Sequence, residues 1–133
     1  MTRIPDDLPR RILDGADDAV LIADRDGVVR YWNPAAERTF GFPAVEVLGK
    51  SLDVIVPERL RGRHWTGWEK VMSSGRTRYG GGQRLAVPAL RKNGGRLSVE
   101  FSIQLVKDAG GRIEWAVAFL RDVTEREELL SSA

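Results

Sequence analysis

The chain predicts an α+β domain in which an antiparallel sheet carries several short helices and one longer helix on one face. Three observations predict it. Two β-branched runs joined by Asp26-Gly27 come early, the middle is cut into short helices by Asn-Pro, Pro and Gly signals, and apolar residues near the end recur at every second position. A length of 133 residues gives one continuous core and is too short for two ordinary domains. With 42% apolar and 30% charged residues the composition is globular, which excludes a disordered chain.

In order, Leu8, Ile12 and Leu13 fall near helical spacing and Gly15 ends the run, predicting a lead-in helix within residues 1–16. Its apolar stripe must cover its own sheet or a partner subunit. Ala19 to Ala23 and Val28 to Trp32 then form a β-hairpin, and Asp24 and Asp26 are explained by turn chemistry. Asn33 as N-cap and Pro34 at the first helical position start a helix that Gly41 stops. Pro43 starts another, with Val47 and Leu48 as its apolar contacts and Gly49 as its end, and Ser51 to Val54 form a single turn. Pro57 opens the longest helix, expected to run to about Ser73 and stop at Gly75.

From Gln83 the period becomes two. QRLAVPALRK, RLSVEFSIQLVK and RIEWAVAFLRDV read as three strands separated by Asn93-Gly94-Gly95 and Asp108-Ala109-Gly110-Gly111. Leu97, Val99, Phe101, Ile103 and Leu105 alternate with polar residues, so one face is buried and one wet. Pro88 implies a bulge or an unpaired N–H in its strand. Thr124 to Glu127 has the S/T-x-x-E form of a capping box and starts a helix over 124–133.

Composition also removes functions. The absence of cysteine excludes disulfides, thiolate metal sites, cysteine nucleophiles and cysteinyl flavin photochemistry. No P-loop, no GxGxxG after a strand and no second histidine argue against an enzyme. No apolar run is long enough to span a bilayer and the N-terminus has no signal-peptide core, so no membrane association and a cytoplasmic address are expected. Arg59, Arg61, Arg63, Arg76 and Arg78 interleave with tryptophans, but without a base-reading motif they read as a solvated basic face.

The helix after Pro57 carries the chain's single histidine. At 100° per residue Leu60, His64, Trp68 and Val71 share one stripe, which turns His64 inward, away from Arg59, Arg63, Glu69 and Lys70. Gly62 and Gly67 each cost about 1 kcal/mol against alanine in a helix, which implies that another group approaches closely there.

The YWNPAAERTFGF segment, LGKSL, the RKNGG turn and FLRDVTEREEL, in this order and spacing, resemble the PAS sensory domain over roughly residues 8 to 130. The resemblance implies a five-stranded sheet in the order 2-1-5-4-3, with a domain over 17–123 and a C-terminal output helix beginning at 124. It implies a signalling module that binds a small ligand or partner, forms a homodimer, and acts on a histidine kinase, a cyclase or a transcription regulator. Asp122 and Thr124 then stand at the relay into the output helix, although a plain helix start explains the same residues.

Within that family the haem-binding domain of rhizobial oxygen-sensor kinases is similar around Arg63-His64. This implies haem, with His64 as axial iron ligand, Arg84 reaching a propionate or the bound gas, and Trp68 beside the cofactor. Two other readings of His64 stay open: a hydrogen-bonded histidine of the core or rim, and the wall of a pocket for another small ligand. The glycines of Arg78 to Gln83, where haem-bound relatives carry branched aliphatics, and the bulk of Trp65 and Trp68 count against haem.

Overall fold

The Asp26-Gly27 turn is built as its residues require in the computed structural model, which describes residues 3–77 and 85–132. Asp24 Oδ1 accepts from the Asp26 and Val28 N–H groups at 2.9 and 3.1 Å, and Gly27 sits at φ +78°, where only glycine is unstrained. The turn joins β1 (Ala19–Asp24) to β2 (Val29–Trp32). With β3 (Leu85–Leu90), β4 (Arg96–Lys107) and β5 (Ile113–Asp122) they form one antiparallel sheet in the order β2-β1-β5-β4-β3.

Because β2 and β3 lie on opposite edges, the chain between them must cross the whole sheet, and it carries its helices over one face. These are α2 (Pro34–Phe40), α3 (Ala44–Val47) and α4 (Arg61–Ser74), with single 3-10 turns at Leu52–Ile55 and Glu58–Leu60. The core forms between this layer and the sheet's inner face: Phe40 and Val47 meet Leu21, Val29, Leu97, Val99 and Leu120, all buried. Each such side chain contributes roughly 1.5–3 kcal/mol on leaving water. Before the sheet stands α1 (Leu8–Gly15), and after it α5 (Thr124–Ser132).

Several expectations need correction. Pro57 opens a 3-10 turn, and the α-helix begins only at Arg61, whose side chain folds back to the Val56 and Asp53 carbonyls. Val47 is buried but Leu48 is exposed, because α3 ends there. Gly62 and Gly67 have nothing within 4 Å of where a side chain would start among the described residues, so the expected close approach is not found there. Of the alternating β4 residues Leu97 and Val99 are fully buried, whereas Phe101, Ile103 and Leu105 are only half covered. Pro88 causes no bulge, since it pairs with Ser98 without a register shift, and it is accommodated because β3 is an edge strand.

Candidate functional site

The site grows from α4 and the hairpin turn beneath it. Trp65 and Trp68, three apart, lie on one face of the helix and meet edge to face at 5.6 Å. The Trp65 indole lies over Gly27 so closely that a Cβ there would stand 2.3 Å from its ring. Its N–H donates to Asp53 Oδ1 at 2.8 Å, and the Trp68 N–H donates to the Arg25 carbonyl at 2.9 Å. Arg25 returns the link, donating to the carbonyls of Met72 in α4 and Ile113 in β5. Residues 25–27 are thus gripped by two indoles.

His64 faces inward, as the helical stripe predicts, and its ring packs at 4.5 Å from Trp65 and 6.1 Å from Trp68. Its Nδ1 is buried and has no hydrogen-bond partner among the described residues, which does not support the reading of a hydrogen-bonded core histidine. Burial pushes the imidazole pKa below its ordinary value, partly opposed by the charge of Asp53. A neutral imidazole with a free nitrogen is the form that binds metals. The donor therefore suits a haem iron in kind, but the space does not. Trp65 and Trp68 stand against the ring, and two grooves of about 300 and 310 Å³ lie away from it, against Ile22, Tyr31 and Trp115 and between the hairpin tips. Among the described residues nothing encloses a haem beside His64, and Arg84 lies outside the described residues.

The second constellation is at the exit from the sheet. Asp122 Oδ1 accepts from the N–H and hydroxyl of Thr124, and Oδ2 accepts from Arg91 at 3.0 Å. Burial pushes the Asp122 pKa up, but the Thr124 hydroxyl, the Thr124 N–H and the Arg91 charge outweigh it and hold it below its ordinary value. The capping box read from Thr124 is replaced by a different device: Asp122 caps the helix, while Thr124 Oγ1 accepts from the Ser98 N–H of β4 at 2.9 Å. The geometry does not bring His64 and Asp122 into one site.

Sequence reasoning passed over Asp53, Arg25 and Arg91. Arg91 carried a signal, since it immediately precedes the Lys92-Asn93-Gly94 turn, where a side chain reaches across to neighbouring elements. The arginines also divide: Arg61 turns inward to Asp53, which removes it from the basic face, and Arg78 lies outside the described residues.

A model of the PAS fold matches residues 13–128, and the chain belongs to that family. The chain is similar to the sensor protein FixL of Bradyrhizobium diazoefficiens, 28% identical over 119 residues, covering 90% of this chain and 23% of that protein. It is similar to the oxygen sensor protein DosP of Escherichia coli, 31% identical over 106 residues, covering 80% of this chain and 13% of that protein. The chain therefore spans less than a quarter of the length of these relatives. Among solved structures, an RNA-binding light-oxygen-voltage receptor superposes with a TM-score of 0.77 at 26% identity, covering 100% of this chain and 40% of that one. A PAS domain from Colwellia psychrerythraea gives 0.76 at 16% identity, covering 88% and 95%, and shares the fold alone. No helix among the described residues is long and apolar enough to cross a membrane.

Proposed function

We propose that this chain is a sensory module that acts by binding rather than turnover. A small ligand or partner is sensed at α4, and the change passes through α1 and α5 to an effector, a histidine kinase, a cyclase or a transcription regulator. The observation that carries the placing of the sensor is the buried Nδ1 of His64, beside two tryptophans and without a hydrogen-bond partner among the described residues. A nitrogen left without a partner costs about 1–3 kcal/mol, which a bound ligand would recover. The match to sensor proteins supports the same reading. A homodimer in the cytoplasm belongs to the proposal, supported by the outward Ile4 and Ile12, 69% and 61% exposed.

A second reading, a haem-based gas sensor with His64 as axial ligand and Arg84 beside the cofactor, is supported by the same nitrogen and by the similarity to an oxygen sensor. It requires Trp65 and Trp68 to swing away from His64. Visible spectra of the protein with and without haemin, with amide exchange of α5 followed in the same samples, test both readings. A Soret band abolished by His64→Ala supports haem, and a protein that takes up no haemin removes it. If α5 exchange ignores haemin and every other ligand tried, the sensory reading itself fails.

A further inference from the structure

One carboxylate is shared between two structural duties at the sheet exit. Asp122 gives Oδ1 to the first turn of α5 and Oδ2 to the guanidinium of Arg91. Arg91 is shared as well. Its Nη2 donates to Asp122 at 3.0 Å, and its Nη1 donates to the carbonyl of Thr39, in the last turn of α2, at 3.1 Å. The neighbouring residue pins the same junction, since the Lys92 N–H donates to the Phe40 carbonyl at 2.9 Å and its ammonium pairs with Glu46 at 2.7 Å.

The signs alternate along this path. The C-terminal end of α2 is partially negative, Arg91 positive, Asp122 negative and the N-terminal end of α5 partially positive, so each group is favoured by both neighbours. Arg91 and Asp122 are each 34% exposed at the side chain, which shields the pair from solvent in part. The guanidinium is a planar fork, and its two outer nitrogens hold their partners in a fixed relation. A displacement of α2 therefore pulls on the carboxylate that caps α5.

We propose that Arg91 is the positioning residue that carries movement of the α2–α3 layer to α5. The inference rests on the reading of α5 as the output connector and names the residue through which α2 reaches it. Glu37 supplies a mild perturbation at the far end, because its carboxylate accepts from the Ala44 N–H between α2 and α3 at 2.7 Å.

The experiment introduces Glu37→Gln into the parent, Arg91→Lys and Arg91→Met chains and records the backbone amide shifts of residues 125–129. In the parent, Glu37→Gln is expected to move these resonances. In both Arg91 variants the movement should fall about twofold or more, as for coupled sites cut at their link. Arg91→Lys keeps the charge, and thus most of the thermal stability, but cannot hold both partners as a fork does, which separates transmission from folding. Exchange of the α5 amides should quicken about fivefold in Arg91→Met, the equivalent of one weakened cap. Undiminished movement in both variants overturns the role of Arg91 and leaves α5 as output connector. No movement in the parent overturns the coupling of α2 to α5 and with it the proposal, whereas the reading of α5 as output connector falls only if α5 ignores haemin and every other ligand tried.

Discussion

At the residue scale, His64 shows how a local pattern and a tertiary environment divide the work. The inward stripe of α4 was legible in the spacing of Leu60, His64, Trp68 and Val71, because helical periodicity is a property of the chain alone. That no described residue partners Nδ1 was not legible, since it depends on which groups the 3-10 turn and the hairpin bring near. Asp53 is the charged group on the facing turn that acts on His64, itself bonded to Trp65 and paired with Arg61, while Arg25 faces the same tryptophans from the hairpin. With a depressed folded pKa, His64 binds its proton more readily when unfolded. Its contribution to stability is complete above the ordinary value near 6.5 and is lost as pH falls through the folded pKa. The urea midpoint of the parent should therefore fall on acidification below that value more than the midpoint of His64→Phe. Equal slopes in the two proteins would refute this account.

At the element scale, Asn33 ties three elements together. The sequence marks it as the N-cap of α2, and its Oδ1 does accept from the Ala36 N–H at 2.9 Å. The same oxygen accepts from the Val20 N–H of β1, and Nδ2 donates to the carbonyls of Leu13, in α1, and Asp18. The side chain is fully buried with every link satisfied. A cap is local and can be read from four residues, whereas bonds across 13 to 20 positions exist only once the elements have met. Asn33→Ala leaves a strand amide and two carbonyls short of a partner, so urea unfolding should show a loss of about 3 kcal/mol. A loss below about 1 kcal/mol, the worth of a cap alone, would mean the other links contribute nothing.

At the scale of the whole molecule, the five strands and their turns were legible because β-branched alternation and Asp-Gly or Asn-Gly turns are strong local signals. The order of the strands was not readable from periodicity and came from the family resemblance. The least legible part was the docking of α4, which has no fully buried residue and is held by the half-buried Trp65 and Trp68 packed against the core, by their indole N–H groups and by Arg25. The proposed homodimer belongs to this scale. The outer sheet face offers a shallow groove lined by Ile22, Tyr31, Val106, Trp115 and Val117, and α1 reaches that face where the Tyr31 hydroxyl donates to Asp14 at 2.6 Å. Sedimentation should show a dimer for the parent and a folded monomer for Ile12→Glu; a parent that is monomeric at all concentrations would exclude the dimer.

Both margins of the sheet carry an obstacle to strand addition, which limits how anything can join it. On β3 the edge carries Pro88, which has no N–H to offer an incoming chain. On β2 the free side is already occupied, for the Val29 N–H donates to the Lys50 carbonyl and the Gly49 N–H to the Val29 carbonyl, both at 2.8 Å. Among the described residues, a fibril-like stack or a borrowed strand therefore meets an interrupted template at each margin. An approach face-on or through the terminal helices meets neither obstacle, so crowding of many copies is expected to give less strand-to-strand polymerisation than an unobstructed edge would.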